Sequence, residues 1–237
     1  MIKQLPNLLT LGNLFCGCLG LVQAFDQHLT EAAYFIWAAA LLDFLDGFVA
    51  RLVGNASPLG KQLDSLADVV SFGVLPAVLL FLLLQERTES SWLPYVAFSI
   101  ALFSALRLAR FNIDTTQSDA FRGLSVPANA LFISSLPFIL GPNPGWLTSI
   151  VDSWEVLIGI SIVFSLLLVS PIRLFALKFK DYSWGSNRVK YVFLAISVIL
   201  LAWLGFNGIP LVVLLYIISS IFENQFTVTE NNAVADH

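Results

Sequence analysis

Apolar residues run along the chain in long blocks, separated by short polar or Gly/Pro-containing stretches. A helix crosses a bilayer with ~20 mostly apolar residues. Eight blocks reach or approach that length: 7–25, 32–51, 59–84, 92–111, 125–141, 153–171, 188–206 and 208–223. The fifth and eighth are short or interrupted by proline. Pro58 is placed to open the third helix, where a missing N–H costs nothing. The run Gly141-Pro142-Asn143-Pro144-Gly145 reads as a turn. The pattern predicts an all-α polytopic membrane bundle of about eight transmembrane helices, with no internal repeat.

Composition sharpens this. Of the 237 residues, 57% are hydrophobic and 12% charged, against ~25% charged in soluble domains, and the mean hydropathy is +0.82. No soluble domain of useful size is left over, and no nucleic-acid partner is expected. With the N-terminus in the cytoplasm and eight crossings, both termini are cytoplasmic. All of the 12 Lys and Arg except Arg87 then lie on the cytoplasmic side or at its boundary. The cluster Arg173, Lys178, Lys180, Arg188 and Lys190 reads as an anchor to anionic lipid. The tail from Glu223 has no basic residue and reads as a short disordered end. Lys3, an apolar run and Val22-Gln23-Ala24 imitate a cleavable signal, but Asn7, Thr10 and Asn13 interrupt it at a three-residue step, so the segment reads as a first membrane helix. Cys16 and Cys18, at i, i+2, face apart, and His28 and His237 lie far from each other and from the acidic residues, so zinc is not expected.

One polar stretch resists an anchoring role. Asp43 and Asp46 precede the link between the second and third helices by about two turns, and Asp64 and Asp68 follow it by a similar distance. Asp43, Asp46, Gly47 and Ala50 share one helix face, as do Gly60, Asp64 and Asp68. Joined by a short link, the two faces are expected to meet just below the cytoplasmic surface. Each Asp near a helix centre costs about 2.5–3.5 kcal/mol on insertion scales, and four close carboxylates repel one another. Oxygen ligands without His or Cys suit hard cations such as Mg²⁺, Mn²⁺ or Ca²⁺, and four carboxylates match two divalent ions. Such a pair can polarise a phosphoryl group. Gly47, Ala50 and Gly60 would let a bulky ligand approach the backbone; taken singly, such residues serve membrane helix packing.

Written out, the stretch is Asp43-x2-Asp46-Gly47-x2-Ala50-Arg51-x8-Gly60-x3-Asp64-x3-Asp68. It resembles, without gap or substitution, the signature of the CDP-alcohol phosphatidyltransferases. The resemblance implies a single transferase domain over 1–237, with a six-helix catalytic core, accessory helices at about 188–223, and a homodimer in the cell (inner) membrane with its active site facing the cytoplasm. It implies two divalent cations, Mg²⁺ or Mn²⁺, held by Asp43, Asp46, Asp64 and Asp68, with Asp68 also taking the proton of the acceptor hydroxyl. Gly47, Ala50, Arg51 and Gly60 would face the nucleotide-linked donor.

The stretches "PNLLTLGNLFCG", "LDSLADVVSFGVLPA", "ALRLARFN" and "FRGLSVPA" resemble the membrane-integral phosphatidylserine synthases of that family over about residues 5–130. There the last stretch is expected to read Gly-Leu-Pro-x-Pro; this chain has Ser125 at the first proline. CDP-diacylglycerol as donor and L-serine as acceptor follow from the resemblance, with about 104–127 as the acceptor-specific region. Arg107 and Arg110 can bind a carboxylate bidentately, although they would serve a phosphate or anchor the helix end as well. Asn112 and Arg122 are further acceptor candidates. Thr10 and Asn13 would contact nucleotide or bond between helices. Glycerol 3-phosphate or inositol as acceptor, and an archaeal ether-lipid donor, stay open. A cation transporter is the rival class; it would place acids near the midplane on broken helices, whereas these flank a surface link beside Arg51 and Lys61.

Overall fold

The structure is a computed structural model that describes residues 4–54, 57–113, 120–141, 146–175 and 184–235. It is helical almost throughout: α1 (Leu5–Phe25), α2 (Leu29–Val53), α3 (Pro58–Asp68), α4 (Leu75–Gln85), α5 (Ser99–Ile113), α6 (Val126–Ile139), the single turn α7 (Thr148–Val151), α8 (Trp154–Val169), α9 (Trp184–Leu204) and α10 (Gly208–Ala235). A π-helical turn, Val69–Val74, joins α3 to α4 in one continuous rod, and a 3₁₀ turn, Leu93–Phe98, leads into α5. The eight predicted spans correspond to α1, α2, α3–α4, α5 with its leading turn, α6, α8, α9 and α10. Most boundaries agree to within a few residues.

Two expectations need adjusting. The α10 backbone continues to Ala235 where a disordered end was expected, and residues 224–235 hold no Gly or Pro to stop it. The chain also forms one antiparallel pair, β1 (Ala120–Arg122) with β2 (Arg173–Phe175), in register Phe121 opposite Leu174. The expected turn at 142–145 lies outside the described residues, as do Lys3, Lys178 and Lys180.

Four stretches are long and apolar enough to cross a membrane: Leu5–Phe25, Pro58–Gln85, Leu93–Ile113 and Asn187–Glu223. The last bends at Gly205 (φ 55°), so it supplies two helices that pack on each other. Helices α6 and α8 are shorter, and α2 carries Asp43 and Asp46 within its apolar run. Large apolar side chains such as Phe15, Phe44, Leu102 and Trp203 face outward, which a lipid surround accommodates and water does not.

Inside, α4 is the central post. Leu75, Leu79, Leu80 and Leu84 are fully buried, and its two sides feed two apolar clusters, one with α1 and α2, the other with α6, α8 and α10. Helix α1 turns a stripe of small residues inward, Thr10, Asn13, Gly17, Gly20 and Ala24. Gly17 is needed there because any Cβ would collide with Ser71 of the π turn. This is the small-residue contact that membrane helices use in place of a hydrophobic driving force.

Two further ties fix the frame. At the end opposite the aspartates, Arg87 Nε donates to Asp152 Oδ1 at 2.9 Å, joining the end of α4 to the start of α8. On another side Trp37 stacks on Phe138 with centroids 5.2 Å apart, and its Nε1 donates to Ser134 Oγ at 2.8 Å. Phe206, from the α9–α10 turn, closes on the same indole at 4.8 Å.

Candidate active site

The site forms where α1, α2 and α3 converge. Helix α2 ends at Gly54 (φ 64°), whose N–H caps Ala50 and Arg51 carbonyls. Helix α3 starts two residues after the undescribed link, with Ser57 as N-cap accepting from Gly60 N at 2.9 Å and Pro58 at the first helical position. Helices α2 and α3 each pack on α1, and their acidic faces turn toward each other across the site.

Asp43, Asp64 and Asp68 each bring a carboxylate oxygen to within 4.8 Å of the other two. Asp68 is buried; Asp43 and Asp64 are half-buried. Asp46, also buried, accepts from the Thr10 hydroxyl at 2.6 Å. Asn13 Nδ2 donates to Asp68 Oδ1 at 3.3 Å, while its own backbone carbonyl accepts from Ser71 Oγ at 2.9 Å. Helix α1 therefore holds one carboxylate from each acidic pair, and the π turn after Asp68 holds α1 in return. Thr10 and Asn13, expected to contact nucleotide or to bond between helices, make inter-helix hydrogen bonds to the aspartates, and Thr10 also lines the cavity beside them.

A cavity of about 330 Å³ opens beside them, lined among others by Asp43, Asp46, Asp64, Gly47, Ala50 and Gly60. Open space lies against Gly47, with no atom within 4 Å of where a Cβ would stand. Asn7 and Lys61 also line it, and Lys61 Nζ donates to the Asn112 carbonyl at 2.9 Å. Arg51 is exposed at the end of α2 and is not part of that lining.

The acceptor candidates separate. The half-buried Arg107 lies within Coulombic range of Asp68 and of Tyr216 on α10. Arg110 is exposed. Asn112 Nδ2 donates to Ser65 Oγ at 2.8 Å, bracing α5 against α3. Arg122 belongs to β1, and its side chain lies outside the described residues. The stretch that follows is clamped by backbone: Gly123 N donates to Ile172 O at 2.8 Å and Leu124 N to Leu167 O at 2.9 Å. Gly123 has φ 75°, and a Cβ there would run into the Leu168 carbonyl. Ser125, standing where a proline was expected, is the N-cap of α6 and accepts from Ala128 N at 3.3 Å.

One buried residue escaped the sequence reading. Asn129 of α6 is fully buried, and neither its Oδ1 nor its Nδ2 has a partner among the described residues. A polar residue inside the apolar fifth block was the available signal.

The donor set fits divalent cations. Three carboxylate oxygens converge, Asp46 lines the cavity together with Asp43 and Asp64, and Asn13 Oδ1, buried beside Asp68, has no partner among the described residues. All are hard oxygen donors of the kind Mg²⁺ and Mn²⁺ take.

Residues 3–167 match the family described as CDP-alcohol phosphatidyltransferase. The chain is 32% identical over 196 residues to a CDP-diacylglycerol–serine O-phosphatidyltransferase of Helicobacter pylori, covering 82% of this chain and 80% of that protein. A protein of the same name from Mycobacterium leprae is 37% identical over 179 residues, 72% of this chain and 58% of its own. An archaetidylserine synthase of Methanothermobacter thermautotrophicus is 40% identical over 133 residues, 55% of this chain and 56% of its own.

Proposed function

This chain belongs to the CDP-alcohol phosphatidyltransferase family, and we propose that it transfers the phosphatidyl group of CDP-diacylglycerol to L-serine, giving phosphatidylserine and CMP. The observation that carries the proposal is the convergence of Asp43, Asp64 and Asp68, of which Asp43 and Asp64 line the cavity beside Gly47. The names of the relatives support serine as acceptor. Asp43, Asp46, Asp64 and Asp68 hold the divalent cations. When bound, these ions supply charge neutralisation and Lewis-acid polarisation of the phosphoryl group.

The chain's own residues do the rest. Thr10 and Asn13 fix the carboxylates of Asp46 and Asp68, so that little reorganisation is needed when charge shifts. The open space along Gly47 and Ala50 admits the cytidine diphosphate, and Gly60 lines the same cavity. Asp68 accepts the proton of the serine hydroxyl as its oxygen attacks the β-phosphorus and CMP departs. Arg107 lies on the Asp68 side and suits the acceptor carboxylate. Lys61, Arg107 and Arg110 belong to the same end of the bundle as the aspartates, and Arg87 to the other. By the positive-inside rule this supports a site at the cytoplasmic face of the cell membrane. The proposal includes the family's homodimer.

The test is CMP release in detergent from CDP-diacylglycerol with Mn²⁺ or Mg²⁺, offering L-serine, glycerol 3-phosphate and inositol separately. Metal-dependent release with serine alone is the expected result. Release with another alcohol would overturn the acceptor, and release only from a CDP-linked ether lipid would overturn the donor.

A further inference from the structure

Three buried polar groups apart from the aspartates lie on helices that flank the π turn. Asn129 of α6 is fully buried with both ends of its amide unpaired among the described residues. Ser104 Oγ and Arg107 Nε of α5 are likewise buried without a partner among those residues. All three belong to elements packed on Val69–Val74, the turn that follows Asp68. Ser104 touches Gly73 of that turn, its Cβ standing 3.2 Å from where a Gly73 Cβ would be.

The neighbours of Asn129 locate it further. Val126, one turn earlier, packs in the cluster that holds Leu108 of α5 and Phe72 of the π turn. Ile133, one turn later, packs in the cluster that holds Val213 and Ile217 of α10. Asn129 thus stands on the stretch of α6 between these two clusters, and α6 packs on both the π turn and α10. Arg107 adjoins Leu108 in sequence, and Tyr216 lies between Val213 and Ile217. Arg107 and Tyr216 are in turn within Coulombic range of one another, and Arg107 of Asp68.

A buried primary amide with both ends unpaired is costly, and native structures rarely retain one without an occupant. We propose that Asn129, with Arg107, receives the α-amino-acid end of the acceptor; this rests on serine being the acceptor, as set out above. An amide offers a donor and an acceptor side by side. Its Nδ2 and the Arg107 guanidinium face a carboxylate, and its Oδ1 faces an ammonium. That combination suits a zwitterion. Glycerol 3-phosphate has no ammonium to give to Oδ1, and inositol has neither charge. The serine hydroxyl is then left free to point toward Asp68. Asn129 becomes the residue that sets acceptor choice, at one remove from the metal-binding carboxylates.

The experiment compares wild type, Asn129→Leu and Asn129→Asp in detergent with CDP-diacylglycerol and Mn²⁺. It measures KM for L-serine and for the donor, together with inhibition by L-alanine, which keeps the ammonium and carboxylate but lacks the hydroxyl. In Asn129→Leu the KM for serine is expected to rise ~10-fold or more, with donor KM within about twofold and alanine inhibition lost. Asn129→Asp keeps the volume and sets a carboxylate against a carboxylate, so serine KM rises again. If wild type uses serine and both variants keep its KM, Asn129 holds only structural water and the inference is wrong while the serine reading stands. If both variants lose donor stabilisation against heat as well as activity, the amide serves packing and the inference is also wrong. If wild type rejects serine for another alcohol, the serine reading fails first, and the inference with it.

Discussion

The rod from Pro58 to Gln85 is one helix to the eye and two in its work. Its first part, α3, carries Asp64 and Asp68 on one face and leaves Leu59 and Leu66 exposed on another. Its second part, α4, has no charged residue, and nine of its side chains are buried. The π turn between them inserts extra backbone into the helical register, so the acid-bearing face of α3 is not continued by α4. Asp68 stands at the last residue before the change. The chemistry sits on a segment held by hydrogen bonds to α1, and stability sits on one held by packing. A single covalent rod lets the second position the first.

This division can be tested by breaking each half separately. Asp68→Asn should cost the most, lowering CMP release by about 10²–10⁴-fold, while the melting temperature in detergent holds or rises. A drop in melting temperature of similar weight would erase the distinction. Leu79→Ala, in the middle of α4, should do the reverse, destabilising by about 2–5 kcal/mol with both KM values unchanged in the folded fraction. Asn13→Ala removes the hydrogen bond to Asp68 and should lower kcat by ~10-fold, on the order of 1–3 kcal/mol; Thr10→Val should act alike through Asp46. Equal effects on donor KM and melting would instead make these helix-packing residues. Arg87→Met should matter least. Its ion pair with Asp152 is exposed on the acidic side, so less than about 1 kcal/mol is expected, with no change in activity.

Much of this was legible in the chain, for identifiable reasons. Eight apolar blocks gave the helices because bilayer thickness sets a length that composition alone can meet. Asp43, Asp46, Asp64 and Asp68 stood out because a carboxylate is expensive among apolar residues, and helical spacing put them on facing stripes. What Thr10 and Asn13 contact was not legible, since a polar residue on a small-residue stripe bonds whichever helix comes alongside. The π turn left no mark in Val-Val-Ser-Phe-Gly-Val, a run without polar periodicity. Nor did Asn129 announce itself; only burial on every side distinguishes it from an ordinary interhelical amide. Arg107 and Arg110, three residues apart, looked equivalent in sequence, yet one is half-buried near Asp68 and the other is exposed.

The backbone clamp at Gly123 and Leu124 bears on how this molecule can be cut and recombined. The match to the family stops at residue 167, which invites treating α9 and α10 as a detachable appendage. Yet Gly123 N bonds Ile172 O, and β1 pairs with β2 beyond that boundary. A chain ended at 167 would strip partners from the loop that opens α6 and so loosen the helix bearing Asn129. A chimera that exchanges the C-terminal hairpin should therefore carry its splice after Phe175, so that the strand travels with the core it stitches.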